Sequence, residues 1–343
     1  AYTSREATAY YARVLGADVP LALDVISDIV LNPVFDPREI EIERGVILQE
    51  IGQALDTPDD VIFDWLQEQA YPDQPIGRTI LGPAERVRAF GKADFQAFVA
   101  QHYAPGQMVL SASGAVDHDA IVRMAEDIFG ALAPVAPTSF VPARFQGGEM
   151  RVEKALEQAH FALAFEGPGV TDSAIYTAQI LGSALGGGMS SRLFQEIREK
   201  RGLCYTIFAQ AGAYSDTGMM TIYAGTSAED LGDLALLTLD EIKRAADTLS
   251  EAEIARARAQ MKAGMLMGLE SPSSRAERMA RMLQIWGRVP DLDEVVARVD
   301  AITLADVRAM AGQMAASAPM ALALYGPVSG APDWDALKAR RAA

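Results

Sequence analysis

Cysteine is nearly absent from this chain of 343 residues, which contains a single one, Cys204. One cysteine cannot form an intramolecular disulfide, so we expect a fold without a disulfide framework, in a reducing compartment. A lone cysteine can also serve as a nucleophile. Cys204 stands in the apolar, strand-like run GLCYTIFA, which favours a small buried side chain instead.

Long apolar runs and an export signal are also lacking. No run approaches the roughly 20 apolar residues that span a bilayer. The first residues, AYTSREATAYYARVLG, show no basic segment followed by an apolar one. Half of the residues are apolar and 22% are charged, which is typical of globular domains, and the length suffices for two of them. We expect a bacterial cytoplasmic location, with the mitochondrial matrix as the alternative.

Positive charge is in deficit, with 30 Lys and Arg residues against 46 Asp and Glu residues and a net charge of −16. A strongly acidic chain repels nucleic acid and anionic membranes and favours basic partners such as basic peptides. The charge can equally serve solubility alone. The composition therefore argues against nucleic-acid binding without identifying a partner.

The chain repeats itself at a nearly constant offset. AYTSREATAYYA (1–12) aligns with AYSDTGMMTIYA (213–224), and MVLSASGAV (108–116) aligns with MALALYGPV (320–328), both at an offset of 212. Individual identities are few, but the offset persists over more than a hundred positions. The pattern indicates two tandem copies of one unit.

Each copy predicts an α+β domain in which a mostly antiparallel sheet packs against helices. An alternating strand is followed by an amphipathic helix, a long helix that begins after Asp36 or Ser250, two more helices and a closing apolar strand. The expected division is a first domain at 1–132, a linker rich in Pro and Gly at 133–149, a second domain at 150–330 and a C-terminal tail at 331–343.

The second copy contains elements that the first does not. FALAFEG, SAIYTAQILGSAL, a glycine-rich run and SRLFQEIREKRG all precede Ala213, which is the partner of Ala1. We therefore expect the first domain to lack its N-terminal strand, a helix and a second helix, so that upstream polypeptide or another chain covers its apolar faces. The glycine-rich run, GSALGGGMSSRLF, lacks the Gly-Lys-Ser/Thr of a phosphate-binding loop and predicts a tight turn before a helix.

Two glutamates distinguish the first copy from the second. Glu43 and Glu50 are seven residues apart on the predicted long helix, which places them two turns apart on one face. In this segment the offset is 214, and the second copy has Ala257 and Gly264 at the corresponding positions. Carboxylates present in one copy suggest a site, but glutamates on solvated helix faces are common, and the spacing leaves both interpretations open.

Several ungapped blocks resemble the pitrilysin/insulinase family of zinc metallopeptidases. NPVFDPREIEIERGVILQEI is similar to the stretch that supplies the family's third metal ligand, while AYTSREATAYYA, VIFDWLQEQAY and IGRTILGP resemble its processing-peptidase branch, the mitochondrial catalytic (beta) subunits and their bacterial homologues. The resemblance implies a LuxS/processing-peptidase-like metallopeptidase fold. It also implies a zinc-dependent endopeptidase that cleaves peptides or presequences in an enclosed chamber.

The family's active site combines an inverted zinc motif, H-x-x-E-H, with a distal glutamate. By this resemblance, Glu50 is the distal zinc ligand and Glu43 orients a ligand histidine. Asp64 corresponds to a further acidic position with a supporting role. In such sites the metal activates a water molecule and the motif's glutamate removes its proton.

The resemblance also implies residues that contact the substrate. Arg198 and Tyr205 match an Arg/Tyr pair that clamps the substrate through a peptide carbonyl and a developing oxyanion. Without the resemblance, a solvated helix end and a half-buried strand position explain the two residues equally well. Ala1, Tyr2 and Thr3 lie at the end of the edge strand against which the family's substrates pair.

The sequence departs from the family pattern at the zinc motif. It contains no H-x-x-E-H, and its three histidines, His102, His118 and His160, show no i, i+4 spacing. The family's spacing places the motif upstream of Ala1. We therefore expect zinc in the complete protein, absent or weakly bound zinc in this chain, and no peptide hydrolysis by this chain alone.

Two functions stay open at this point. The first is an endopeptidase whose substrates are basic or unfolded peptides. The second is a noncatalytic partner or core subunit that binds peptide or supports a complex. In either case the resemblance implies a homodimer, or a heterodimer with a related chain.

Overall fold

The computed structural model describes residues 1–136, 140–316 and 319–342. The chain forms two compact units, each discontinuous in sequence. The first contains Ala1–Gly52, Ile80–Val141 and Met265–Pro290, and the second contains Gln53–Thr79, Pro142–Gly264 and Asp291–Ala343. The expected domain division stays a prediction, and residues 137–139 of the expected linker lie outside the described residues.

The elements follow one another in two long series. The first series is β1 (Tyr2–Thr3), β2 (Thr8–Ala9), α1 (Val19–Leu31), α2 (Pro37–Leu55), α3 (Pro58–Ala70), α4 (Ala84–Ala89), α5 (Lys92–His102) and α6 (His118–Phe129). The second is β3 (Gly148–Glu153), β4 (Ala159–Gly167), α7 (Ile175–Gly186), β5 (Cys204–Ala213), β6 (Gly218–Thr226), α8 (Leu231–Thr248), α9 (Glu251–Gly268), α10 (Pro272–Trp286), α11 (Leu292–Asp300), α12 (Leu304–Ala316), β7 (Met320–Gly326) and α13 (Trp334–Ala342). Among the described residues, no helix combines the length and the apolar composition needed to cross a membrane.

The two long helices begin where the sequence predicts. The carboxylate of Asp36 accepts a hydrogen bond from the Arg38 backbone N–H at 2.8 Å, next to the start of α2. At the start of α9, the Ser250 N–H donates to Glu253 Oε2 at 2.8 Å, and the Glu253 N–H donates to Ser250 Oγ at 3.4 Å. These side chains satisfy N–H groups that a helix start leaves without partners. Both predicted starts are confirmed.

The sheet of the second unit has the order β3-β7-β4-β6-β5. Every neighbouring pair is antiparallel except β3 and β7, which run parallel. Both faces of β4 are buried, because Phe161, Leu163 and Phe165 pack into one apolar cluster while Ala162 and Ala164 pack into a second one on the opposite face. The α+β prediction with a mostly antiparallel sheet is confirmed.

Helix α3 covers the second of these two faces. Its residues Ile62 and Leu66 are fully buried in the same cluster as Ala162 and Ala164. At its carboxyl end the Tyr71 hydroxyl contacts Thr217 Oγ1 at 2.9 Å and donates to the Gly218 carbonyl at 3.0 Å. A helix from the first sequence copy therefore covers one face of the sheet that the second sequence copy forms.

The first unit contains only a small sheet. β1 and β2 form a hairpin in which Tyr2 pairs with Ala9 and Thr3 with Thr8, so the strand predicted at 1–12 is present only as two short strands. The closing strand predicted at MVLSASG is wrong, since no strand is assigned at residues 108–114. Its counterpart β7 has hydrogen-bonded neighbours on both sides, whereas the described residues place no strand beside 108–114.

Few side chains of the first unit are buried. The buried Leu, Val and Ala residues in its described part are Leu23, Val30, Val87 and Ala104. One face of α1 is instead open to solvent, with Leu21, Val25 and Ile29 at 62%, 48% and 52% exposure. A spacing of four residues places these three side chains in one apolar stripe.

The segment predicted as a C-terminal tail carries a packed helix. Leu337 of α13 is buried in the main apolar cluster of the second unit. The Arg340 guanidinium donates through Nε to Asp240 Oδ1 on α8 at 2.8 Å. Burial of an apolar side chain and an ion pair therefore fix α13 against α8.

Cys204 lies at the first position of β5, where its side chain is buried. Burial raises the pKa of this thiol to about 11, although Arg198 opposes the shift. The thiolate is therefore scarce at neutral pH, and the nucleophile alternative loses its physical basis.

We expect the native protein to resist alkylation at Cys204 because the thiol is protonated and shielded. A water-soluble maleimide at pH 7, followed by mass spectrometry, should leave the native chain unmodified and label the chain fully once denaturant is added. Stoichiometric labelling of the native chain would contradict the buried placement.

An ion pair joins Arg192, near the end of the glycine-rich run, to the start of α9. Arg192 Nε contacts Glu253 Oε1 at 2.7 Å and Arg192 Nη2 contacts Glu253 Oε2 at 3.0 Å. Arg192 Nη1 also donates to Thr248 Oγ1 at 2.7 Å. Burial alone raises the pKa of Glu253, but hydrogen bonds from Arg192 and Ser250 outweigh it and lower the pKa to about 2.

Because the folded-state pKa of Glu253 is depressed, the pair stabilises the protein above the unfolded pKa of about 4.3, and this contribution disappears as the pH falls toward about 2. Glu253→Gln should lower the free energy of unfolding by roughly 1–3 kcal/mol at pH 7. Urea unfolding at several pH values should show the difference from wild type shrinking below about pH 4. Glu251→Gln, an exposed change on the same helix, is the control, and a difference for Glu253→Gln that is independent of pH would refute the interpretation.

Candidate functional site

The helix predicted at the end of the glycine-rich run is a π-helix. α7 ends at Gly186, and the π-helix spans Phe194–Glu199, with the Lys200 N–H donating to the Gln195 carbonyl at 3.0 Å. Gly186 has no room for a β-carbon, because that atom would collide with the backbone of Ala209 on β5. After α7, the Ser191 N–H donates to the Gly188 carbonyl at 2.9 Å, so the run forms a tight turn, as predicted. π-Helical turns are rare and concentrate at functional sites.

Arg198 lies on this π-helix and is held by four contacts. Its Nε donates to the Tyr205 carbonyl at 2.8 Å, and its Nη1 contacts Glu199 Oε1 at 2.7 Å. The guanidinium carbon lies 4.5 Å from the centre of the Phe194 ring and 5.4 Å from that of the Tyr205 ring. Such aromatic faces attract a cation and limit its movement.

Tyr205 owes its orientation to a β-bulge. In the ladder between β5 and β6, Cys204 pairs with Thr226 and Thr206 pairs with Gly225, so Tyr205 is the extra residue without an opposite partner. Its side chain is 78% exposed, which excludes the alternative explanation of Tyr205 as a half-buried strand residue. Bulges commonly redirect a side chain beside a functional site.

The structure thus brings Arg198 and Tyr205 together, and their action on a substrate stays a prediction. Within the described part of the chain, neither Arg198 Nη2 nor the Tyr205 hydroxyl has a hydrogen-bond partner. Two donors on adjacent side chains can bind the carbonyl oxygens of an extended peptide. Sequence reasoning missed the contacts of Arg198 with Phe194 and Glu199, although the four-residue spacing of Phe194 and Arg198 was a usable signal.

The predicted metal-site residues lie on two helices. Glu43 and Glu50 are both exposed on α2, and Asp64 is half-buried on α3. Across residues 1–136, 140–316 and 319–342 there is no group of three or more His, Cys, Asp and Glu side chains arranged to hold a metal ion. The described residues therefore do not fit a complete zinc site, and the roles of Glu43, Glu50 and Asp64 stay predictions.

The histidines are dispersed through the fold. His160 lies on β4 with its Nδ1 2.9 Å from the Tyr223 hydroxyl, and burial lowers the pKa of its imidazole. His102 ends α5 and His118 begins α6. His160 therefore behaves as a core histidine with a hydrogen-bond partner.

The predicted edge-strand residues 1–3 lie at the exposed hairpin of the first unit. Tyr2 and Thr3 form β1, and the Tyr2 hydroxyl donates to Glu277 Oε1 on α10 at 3.0 Å. The Tyr2 ring also lies 6.2 Å from the Tyr11 ring. These contacts fix the hairpin on α10, and the pairing of a substrate with residues 1–3 stays a prediction.

Two family models match the chain in succession. Residues 1–84 match the model described as insulinase (peptidase family M16), and residues 89–261 match the model described as peptidase M16 inactive domain. The matched segments together extend from the first residue to α9.

Relatives match nearly the whole chain. A protein of Rickettsia felis named as an uncharacterized zinc protease is 38% identical over 95% of this chain and 79% of its own length. The probable beta subunit of the mitochondrial-processing peptidase of Arabidopsis thaliana is 35% identical over 99% of this chain and 67% of its own length. These identities extend over both sequence copies.

A solved structure has the same fold. A chain of complex III2 from Candida albicans, determined with Inz-5 bound, superposes with a TM-score of 0.88 over 96% of this chain and 82% of that chain. At 22% sequence identity the likeness shows the fold alone. The sequence matches, at 35% and 38% identity over nearly the whole chain, establish that the chain belongs to the insulinase family of zinc metallopeptidases, peptidase family M16.

Proposed function

We propose that this chain forms the substrate-binding part of a zinc endopeptidase of the processing-peptidase type. The observation that carries the proposal is the 38% sequence identity between this chain and a protein of Rickettsia felis named as a zinc protease, over 95% of the chain. The net charge of −16 supports basic peptides as substrates, because an acidic surface attracts them at long range. The same charge argues against nucleic acid as a partner.

The proposed metal ligand of this chain is Glu50. It offers one carboxylate on an exposed helix face, with Glu43 two turns away on the same face. Because the described residues do not complete a metal site, the two histidines and the general base of the family's motif would come from polypeptide other than residues 1–343.

Zinc analysis tests this assignment. The chain that begins at Ala1, dialysed against zinc and analysed by atomic emission, should retain much less than one zinc per chain. When the upstream segment of the gene is included, zinc content should approach one per chain. In that longer protein, Glu50→Gln should reduce zinc affinity by roughly 10- to 100-fold or more, with a smaller loss for Glu43→Gln.

The exposed Glu39 of α2 provides a charge-matched control, because Glu39→Gln should leave zinc content unchanged. Near-stoichiometric zinc in the chain that begins at Ala1, or full zinc in Glu50→Gln, would refute the assignment.

The proposed clamp consists of Arg198 and Tyr205. The Phe194 ring, the Tyr205 ring and a backbone carbonyl hold the guanidinium, so ordering it on peptide binding costs little side-chain entropy. Arg198 Nη2 and the Tyr205 hydroxyl then donate to carbonyl oxygens of the extended substrate. A charge-assisted donor is the stronger of the two.

Arg198→Ala should weaken the binding of a labelled basic peptide by roughly 10-fold, which corresponds to one charge-assisted hydrogen bond, while the midpoint of thermal unfolding changes little. Fluorescence anisotropy measures the affinity. Arg201→Ala removes the same charge from an exposed neighbour that contacts Glu196 and should leave affinity within about twofold. Equal affinities for wild type and Arg198→Ala would exclude the clamp.

A noncatalytic partner or core subunit is the second candidate. It is favoured by the match of residues 89–261, half of the chain, to a domain described as inactive. Either candidate would act as a homodimer or as a heterodimer with a related chain. If the upstream coding sequence contains no H-x-x-E-H and the longer protein binds peptide without cleaving it, the noncatalytic function is the correct one.

A further inference from the structure

Arg198 carries its own counter-ion. Glu199, the next residue of the π-helix, contacts Arg198 Nη1 at 2.7 Å, and the two side chains are 30% and 49% exposed. Arg198 Nε is already used by the Tyr205 carbonyl. Nη2 has no partner in the described part of the chain, and it belongs to a guanidinium whose positive charge is balanced by Glu199.

The guanidinium is held in position beside this counter-ion. The rings of Phe194 and Tyr205 flank the guanidinium, and the bond to the Tyr205 carbonyl fixes its plane. A carboxylate that approaches Nη2 therefore meets the negative charge of Glu199 a few ångströms away. An uncharged carbonyl oxygen meets no such repulsion and needs a single donor.

We propose that Glu199 is a specificity-determining residue, which makes the Arg198–Tyr205 pair bind uncharged main-chain carbonyl groups and reject carboxylates. This inference rests on the proposed function of the pair in peptide binding. It predicts that a peptide is disfavoured when an acidic side chain or a terminal carboxylate reaches the pair. The acceptable ligand at this position is an internal, extended stretch of peptide.

The same π-helix contains a matched control. Glu196 has the same charge as Glu199 and is three residues away, but it pairs with Lys200 and with Arg201, whose Nη1 lies 3.1 Å from Glu196 Oε2. Hydrogen bonds from these two partners lower the pKa of Glu196. A substitution at either glutamate changes the net charge by the same amount, so only a local effect on Arg198 separates them.

The experiment compares Glu199→Gln with Glu196→Gln in the full chain. The probes are a labelled basic peptide without acidic residues and a set of versions in which one Glu replaces Gln at successive positions. Affinities are measured by fluorescence anisotropy at low and at high salt. Wild type should bind at least one Glu version more weakly than the parent peptide.

Glu199→Gln should tighten the binding of that Glu version by about two- to fivefold, the range expected for one partly exposed charge pair, and leave the parent peptide almost unchanged. High salt should diminish the gain. Arg198→Ala added to Glu199→Gln should abolish it. Glu196→Gln should keep the preference of wild type.

Two failures are distinguishable. If Glu199→Gln keeps the wild-type preference at every Glu position while peptide binding still depends on Arg198, the role of Glu199 is refuted and the clamp stands. If no peptide binding depends on Arg198, the proposed function of the clamp itself fails.

Discussion

The ion pair between Arg192 and Glu253 is the interaction on which the candidate site depends. It joins Arg192, two residues before the π-helix, to the first turn of α9, and Ser250 supplies two further hydrogen bonds to the same carboxylate. A π-helix has poorer intrinsic stability than an α-helix, so it persists where neighbouring contacts fix both of its ends. The far end is fixed by backbone hydrogen bonds, from the Gly202 N–H to the Arg198 carbonyl at 2.9 Å and from the Leu203 N–H to the Ile197 carbonyl at 3.1 Å.

The fold of the second copy was largely predictable, because its strands alternate or are apolar throughout and its helix starts carry Ser and Asp caps. The order of the strands and the parallel pairing of β3 with β7 were not, since pairing depends on contacts distant in sequence. The wrong prediction of a strand at MVLSASG shows that a local sequence pattern does not suffice to predict a strand. Its apolar residues suit a strand, but a strand forms only where a neighbour offers its N–H and C=O groups.

The candidate site was predictable only through the family resemblance. Composition and spacing left Arg198 as a surface residue and Tyr205 as a half-buried one. The bulge that turns Tyr205 outward arises from a one-residue shift in pairing with β6, which no sequence pattern reveals. The helix type is equally hidden, because an α-helix and a π-helix differ in hydrogen bonding and not in their apolar residues.

The exposed apolar stripe of Leu21, Val25 and Ile29 on α1 indicates that local stability differs between the two units. With few buried side chains, the helices of the first unit owe little to packing, and short helices are marginal in water without it. Their amide hydrogens will exchange with deuterated solvent through local opening, while those of β4 and β6 exchange only on global unfolding. A binder that covers the stripe will therefore slow exchange in α1 by supplying the missing burial.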